Sequence, residues 1–165
     1  MTRESTLSIR RCGSRDWEDL RAIRLEALAD TPDAYGSTYD ESVLWRDAQW
    51  KNAAATRLYY LAYRDGRVVG MVSGGYNDEH PGTRWLYGMY VTPSERGAGT
   101  AARLVETIGE WARGDGASEV YLHVTTTVAR ARAFYEKVGF QPTGESQEMD
   151  RDRSLTLITM VQRLD

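Results

Sequence analysis

The sequence predicts an α/β (α+β) fold, a mixed central sheet of about seven strands flanked by about four helices in the order βααβββαβαββ. Three observations predict it. Residues 85–91, Trp-Leu-Tyr-Gly-Met-Tyr-Val, are an apolar, aromatic run of the kind that forms a buried strand. A glycine-bearing turn at 96–99 leads into a stretch where Ala101, Leu104, Val105, Ile108, Trp111 and Ala112 recur at helical spacing. Further short runs of strand character lie before and after this unit, joined by turn residues or by other helical patterns.

In chain order, residues 7–11 alternate as Leu-Ser-Ile-Arg, a half-buried first strand. Ser14 offers a helix N-cap, with Trp17, Leu20, Ile23, Leu25 and Leu28 behind it, and this helix should end before Pro32. Proline and glycine make residues 31–39 a loop. A second helix over about 40–54 carries Val43, Leu44, Ala48, Trp50 and Ala53. Residues 58–63 and 68–76 read as paired strands around an Asp65-Gly66 hairpin turn, followed by a polar loop at 77–83. Pro93 stops the central strand, because proline cannot donate to a ladder. After the central helix, residues 120–124 form a short strand and 129–138 a helix, with Gly139 as its left-handed cap. Residues 140–148 and 155–163 close the sheet as two antiparallel strands.

Size and composition narrow the function. At 165 residues the chain is expected to be one domain, 1–165, able to bury a substantial core. Its net charge of −3, from 21 basic and 24 acidic residues, argues against a nucleic-acid partner. No apolar run approaches the roughly twenty residues of a membrane span, and the polar N-terminus is unlike a signal peptide, so no membrane partner is expected. A lone Cys12 excludes an internal disulfide and fits a reducing cytoplasm. Two histidines, His80 and His123, are too few for a metal site, so no metal is expected.

The strand, glycine loop and helix start at 85–101 form a physical device for binding anions. Small residues let a ligand approach the backbone. The first N–H groups of a helix lack internal partners, and the macrodipole favours phosphate there. By themselves Gly97 and Gly99 are equally compatible with a tight turn into a packed helix. The spacing also fits the dinucleotide fingerprint Gly-x-Gly-x-x-Ala, which needs an acidic residue closing the next strand. Glu119 opens its strand instead, and the motif lies past mid-chain, so that reading is rejected.

A second motif decides between the remaining readings. Residues 131–140, Ala-Arg-Ala-Phe-Tyr-Glu-Lys-Val-Gly-Phe, begin 35 positions after Arg96, with one helix and one strand between. Together with Arg96-Gly97-Ala98-Gly99-Thr100-Ala101, they strongly resemble the GNAT superfamily of acetyl-CoA-dependent N-acetyltransferases, over roughly residues 60–164. The element order also matches that family.

The resemblance implies specific roles. The N–H groups of Arg96, Gly97, Ala98, Gly99, Thr100 and Ala101 would bind the pyrophosphate of acetyl-CoA. Met89, Tyr90 and Val91 would bind its pantetheine arm through the main chain, with an N–H near Met89 or Tyr90 polarising the thioester. Gly88 would sit at the family's strand bulge, or else accommodate packing. Tyr135 would be the acid that protonates the leaving thiolate, its plain alternative being a core aromatic. Two departures stand out: Val128 occupies the position of the family's usual asparagine, and Trp85 that of a glutamate base found in many relatives.

The base is not identified by sequence. Tyr87, Asp78, Glu79 and His80 lie near in sequence and could act through water, although a lone loop histidine such as His80 is more often a solvated surface residue, and His123 is expected to be a hydrogen-bonded core histidine. The acceptor pocket would be walled by the two N-terminal helices and their loop, with Tyr35, Tyr39 and Tyr87 as candidate binding residues. Asp33, Asp40 and Glu41 would suit a cationic amine, unless they are only solvated or capping residues. The Pro-Asp-Ala-Tyr-Gly-Ser run at 32–37 is similar to one in many small bacterial members. The expected function is acetyl transfer to a primary amine of a small molecule, a metabolite or antibiotic, by direct attack in a ternary complex. Modification of a protein N-terminus or lysine is the alternative within the fold, and a non-catalytic acetyl-CoA sensor or interaction module the alternative outside it. Many relatives are dimers, so the resemblance allows a homodimer.

Overall fold

The structure, a computed structural model, describes residues 5–165, and the first four residues of the expected domain lie outside the described residues. The chain runs β1 (Leu7–Arg11), α1 (Trp17–Asp30), α2 (Tyr39–Val43), α3 (Asp47–Thr56), β2 (Tyr59–Arg64), β3 (Arg67–Gly75) and β4 (Arg84–Val91). It continues with α4 (Thr100–Gly114), β5 (Glu119–Thr125), α5 (Ala129–Lys137), β6 (Gln141–Met149) and β7 (Asp152–Arg163). The seven strands form one sheet in the order β1-β2-β3-β4-β5-β7-β6. Every neighbouring pair is antiparallel except β4 and β5, so the sheet is mixed as expected. No helix among the described residues is long and apolar enough to cross a membrane.

The local chemistry explains most boundaries. Asp65 and Gly66, at φ +52° and +77°, make the tight turn between β2 and β3. Gly139, at φ +105°, closes α5 and donates its N–H to the Glu136 carbonyl. Two expectations at the N-terminal half need correction. Ser14 is not the cap of the first helix: residues 14–16 form a single tight turn, closed when Asp16 accepts the Gly13 N–H at 3.0 Å. The expected second helix is broken in two. Thr38 caps α2 by accepting the Glu41 N–H, and Gln49 caps α3 by accepting the Arg46 N–H at 2.9 Å. The break lets Trp50, Ala53 and Ala54 face the core while Leu44 stays out in solvent.

Side chains of the sheet alternate between two cores. On one side, α1 and α3 cover Leu61, Tyr63, Met71 and Tyr90. On the other, α4 and α5 cover Ala62, Val72, Leu86, Val91, Leu122 and Met160. In an unbroken strand, residues four apart point the same way. Leu86 and Tyr90 nevertheless belong to opposite cores, because the β3–β4 register slips between Met71↔Tyr90 and Ser73↔Tyr87. Gly88 and Met89 together stand opposite the single residue Val72 and form a bulge, in which Gly88 takes φ +57°.

Candidate active site

The bulge shapes the centre of the molecule. Strands β4 and β5 pair only at Arg84↔Val120 and Trp85↔Tyr121, and beyond Trp85 they have no shared register. Gly88 and Met89 therefore lack a ladder partner on either neighbouring strand. Two cavities flank this stretch. One, of about 460 Å³, is bounded by Met89, Tyr90 and Val91, by the loop from Arg96 to α4, and by Phe134 and Val138 of α5. The other, of about 580 Å³, is bounded by Tyr87, Gly88, His123, Arg24 and the segment at 34–37.

The first cavity ends on the glycine loop. Gly97 and Gly99 adopt φ +87° and +86°, and Gly99 is the N-cap of α4. A Cβ built at either glycine would project into open space, as a cradle for a ligand requires. Two of the six expected N–H groups are engaged internally: Arg96 donates to the Pro93 carbonyl and Ala98 to the Glu95 carbonyl, both at 3.2 Å. The N–H groups of Gly97 and Gly99 have no backbone partner among the described residues, and those of Thr100 and Ala101 open the helix. No acidic side chain lies in that first turn. The nearby Glu95 carboxylate is buried, but Arg64 Nε at 2.6 Å and Thr100 Oγ1 at 3.0 Å hold it away, and the Arg64 bond keeps its pKa low. The Arg96 guanidinium turns to Asp30 at 2.7 Å, tying the loop to the end of α1. These residues fit a diphosphate.

Tyr135 lines both cavities, and its ring packs on Phe134 and edge-on against Phe140. Only 8% of the residue is exposed, and burial pushes its phenol well above the usual tyrosine range, so the hydroxyl stays protonated. Val128 and Ala131, one helical turn and more before it, line both cavities too.

Comparison with known proteins settles the family. The acetyltransferase (GNAT) family profile matches residues 17–140. The chain belongs to this family. It is 36% identical to N-acetyltransferase 8 of Homo sapiens over 92 residues, 53% of this chain, and spans 40% of that relative's length. Among solved structures, a GNAT-family acetyltransferase from Streptococcus pneumoniae superposes with a TM-score of 0.76 at 21% identity, covering 97% of this chain and 100% of that one. YncA from Salmonella typhimurium, solved with its cofactor acetyl-CoA, reaches 0.74 at 22% identity, covering 98% and 95%. At such identities these likenesses concern the fold.

In this GNAT chain the second cavity differs from the sequence reading. Tyr35 and Tyr87 line it, and the Tyr35 hydroxyl donates to the Met89 carbonyl at 2.9 Å, on the bulge itself. Tyr39 does not reach it: the residue is 40% exposed at the start of α2. Asp33, Asp40 and Glu41 are exposed and line neither cavity; Asp150 is the carboxylate on this wall. Arg24, Arg57 and Arg151 also line it. Arg151 donates from Nε to the Tyr35 carbonyl at 2.9 Å and from Nη2 to the Pro32 carbonyl at 2.6 Å, anchoring the 31–38 loop over the cavity.

His123 is not a hydrogen-bonded core histidine. Val120, Leu122 and Val124 take the core side of β5, so His123 alternates to the other face and into the cavity, without a hydrogen bond among the described residues. Trp85 packs against it with ring centroids 4.6 Å apart. Desolvation lowers the imidazole pKa, and the field of His80 adds to this. His80 itself is exposed in the 77–83 loop, stacked on Trp85 at 5.9 Å, and lines neither cavity.

Arg24 left a trace in the sequence, since it interrupts the apolar stripe Leu20, Ile23, Ala27 and Leu28 of α1. The face of His123 was likewise implied by strand alternation. Arg151 left none, being 116 positions from the carbonyl it binds.

Proposed function

We propose that this chain is an N-acetyltransferase that moves the acetyl group of acetyl-CoA to a primary amine of a small molecule, by direct attack within a ternary complex in the cytoplasm. The observation that carries the proposal is the position of Tyr135. It stands where an anion-binding cavity and a second, roofed cavity meet beside an unpaired stretch of β4.

The N–H groups of Gly97, Gly99, Thr100 and Ala101 hold the pyrophosphate of the co-substrate, and Met89, Tyr90 and Val91 line the path of its pantetheine arm. Acetyl-CoA supplies an activated thioester. A main-chain N–H at the bulge, Met89 or Tyr90, stabilises the carbonyl oxygen as negative charge builds on it. His123, neutral at pH 7, takes the proton that the amine nitrogen loses as its lone pair forms the C–N bond. The C–S bonding pair leaves with sulfur, and Tyr135 donates its proton to that thiolate. The phenolate regains a proton from solvent or from His123, which restores the site.

The roof favours a small acceptor over a peptide. Ala34, Tyr35, Gly36 and Ser37 cover the second cavity, and Arg151 ties this segment down, where a polypeptide needs an open groove. Release of free thiol from acetyl-CoA across a panel of amines tests the proposal, with binding of coenzyme A read by thermal shift. Thiol release with small amines and none with peptides is expected; binding without release on any amine would leave a sensor instead. Gly99→Glu places a carboxylate at the helix start and in a left-handed conformation, and should abolish the thermal shift. A retained shift would remove the loop from the site.

A further inference from the structure

The second cavity has a charge imbalance. Arg24, Arg57 and Arg151 line it against a single carboxylate, Asp150. Among the described residues Arg10, Arg64, Arg84, Arg96, Arg130 and Arg132 lie within ion-pair distance of an acidic side chain, and the remaining arginines, most of them exposed, do not. None of the three cavity arginines does so among the described residues. Arg151 uses its N–H groups on two loop carbonyls, and Arg57 is exposed, its guanidinium carbon 5.7 Å from the Trp45 ring centroid. Arg24 is half-buried and, among the described residues, lies over the face of Tyr35, 5.1 Å from ring centroid to guanidinium carbon. A guanidinium held partly out of water without an anion is unfavourable, and a bidentate oxyanion is what its fork matches.

Arg24 also stands close to the chemistry. Its Nη1 lies 3.4 Å from where a Cβ of Gly88 would be, and Tyr35, on which it stacks, bonds the Met89 carbonyl of the bulge. We propose that the acceptor is an amine carrying an oxyanion a few bonds from its nitrogen, an amino carboxylate or its phosphonate counterpart, and that Arg24 grips the oxyanion with Arg57 on the same wall. This rests on the second cavity being the acceptor site. Three guanidiniums also disfavour an ammonium ion, so an acceptor bound here gives up its extra proton more readily. Polycationic amines, with no oxyanion to offset the repulsion, are rejected by the same wall.

The test compares a panel of α-amino acids with their amides, their decarboxylated amines and their aminophosphonate analogues. Affinity for the protein loaded with coenzyme A is read by calorimetry, and kcat/KM by thiol release. A charged hydrogen-bonded pair predicts a preference for the oxyanion of roughly 10- to 100-fold over the matching amide. Preference for carboxylate or for phosphonate supports the proposal and tells which oxyanion is used. Arg24→Gln should bring the ratio near one, Arg24→Lys should restore part of it, and Arg57→Gln should lower it. Arg67→Gln, on the exposed β2–β3 hairpin, should leave it unchanged. Amides or decarboxylated amines preferred throughout, or a ratio unaltered in both Arg24→Gln and Arg57→Gln, would overturn the proposal. Thiol release confined to uncharged amines would overturn the oxyanion site and keep the transferase. Arg24-dependent binding without thiol release would keep the site and remove the transfer reaction.

Discussion

In the proposed mechanism, Tyr135 and His123 divide the proton chemistry between two environments. Burial raises the phenol, which keeps a proton available to give, and lowers the imidazole, which keeps a lone pair available to receive. Tyr135→Phe should lower turnover by roughly 10²-fold with coenzyme A affinity kept, and an unchanged rate would remove it from the mechanism. His123 faces His80, which lowers its pKa further, and Glu79 and Glu145, which raise it, with burial the largest effect. Its folded pKa thus lies below the ordinary 6.5, so kcat/KM should be flat at neutral pH and fall at acidic pH. His123→Gln should remove that acidic limb and cost roughly 10²-fold at pH 7. A limb that survives the substitution belongs to another group. The unfolded chain takes up this proton first, so the histidine's contribution to stability, full above pH 6.5, is also lost as pH falls through the same window.

At the level of elements, the site depends on a tight seat for α4. Gly74 of β3 faces this helix, and a Cβ there would meet Trp111 ring carbons at 2.8 Å and Leu58 at 2.9 Å. The helix comes that close only because β3 offers no side chain, and its N-terminus carries the glycine loop proposed to hold the pyrophosphate. Gly74→Ala should destabilise by about 1–3 kcal/mol through overpacking. For a chain of this size that is a fall in Tm of roughly 2–4 °C per kcal/mol, measured by calorimetry. An unchanged Tm would mean that α4 shifts freely, and the loop's position would then be set by the Arg96–Asp30 and Arg64–Glu95 pairs instead.

Across the whole molecule, the second cavity, the proposed acceptor site, is an assembly of distant segments. The β6–β7 turn supplies Arg151, the α1–α2 loop supplies Tyr35, and α1 supplies Arg24. Arg151→Ala should release the 31–38 loop, raising KM for the amine on the order of 10-fold with kcat less affected. Amide exchange in that loop should speed up correspondingly. If exchange there is unaltered, the roof is held by the Tyr35–Met89 bond rather than by the arginine.

What was legible beforehand follows the range of the interactions involved. The Asp65-Gly66 turn, the Gly139 cap and the glycine loop at the start of α4 are backbone conformations that neighbouring residues dictate, and they could be read directly. Seven strands in a mixed sheet followed from hydrophobic period and turn spacing alone. The break between α2 and α3 was hidden, because Val43, Leu44, Trp50 and Ala53 keep a continuous helical pattern while Thr38 and Gln49 impose two separate caps. The exchange of acidic residues for arginines around the second cavity was hidden more deeply. Asp33, Asp40 and Glu41 are close to the loop in sequence, whereas Arg24, Arg57 and Arg151 converge only when α1, the start of β2 and the β6–β7 turn are brought to one wall. By itself the sequence determined the family, the order of the strands and the glycine turn before α4, because those are local. Tertiary structure alone decided which charges line the second cavity, because that depends on contacts between residues up to 119 positions apart.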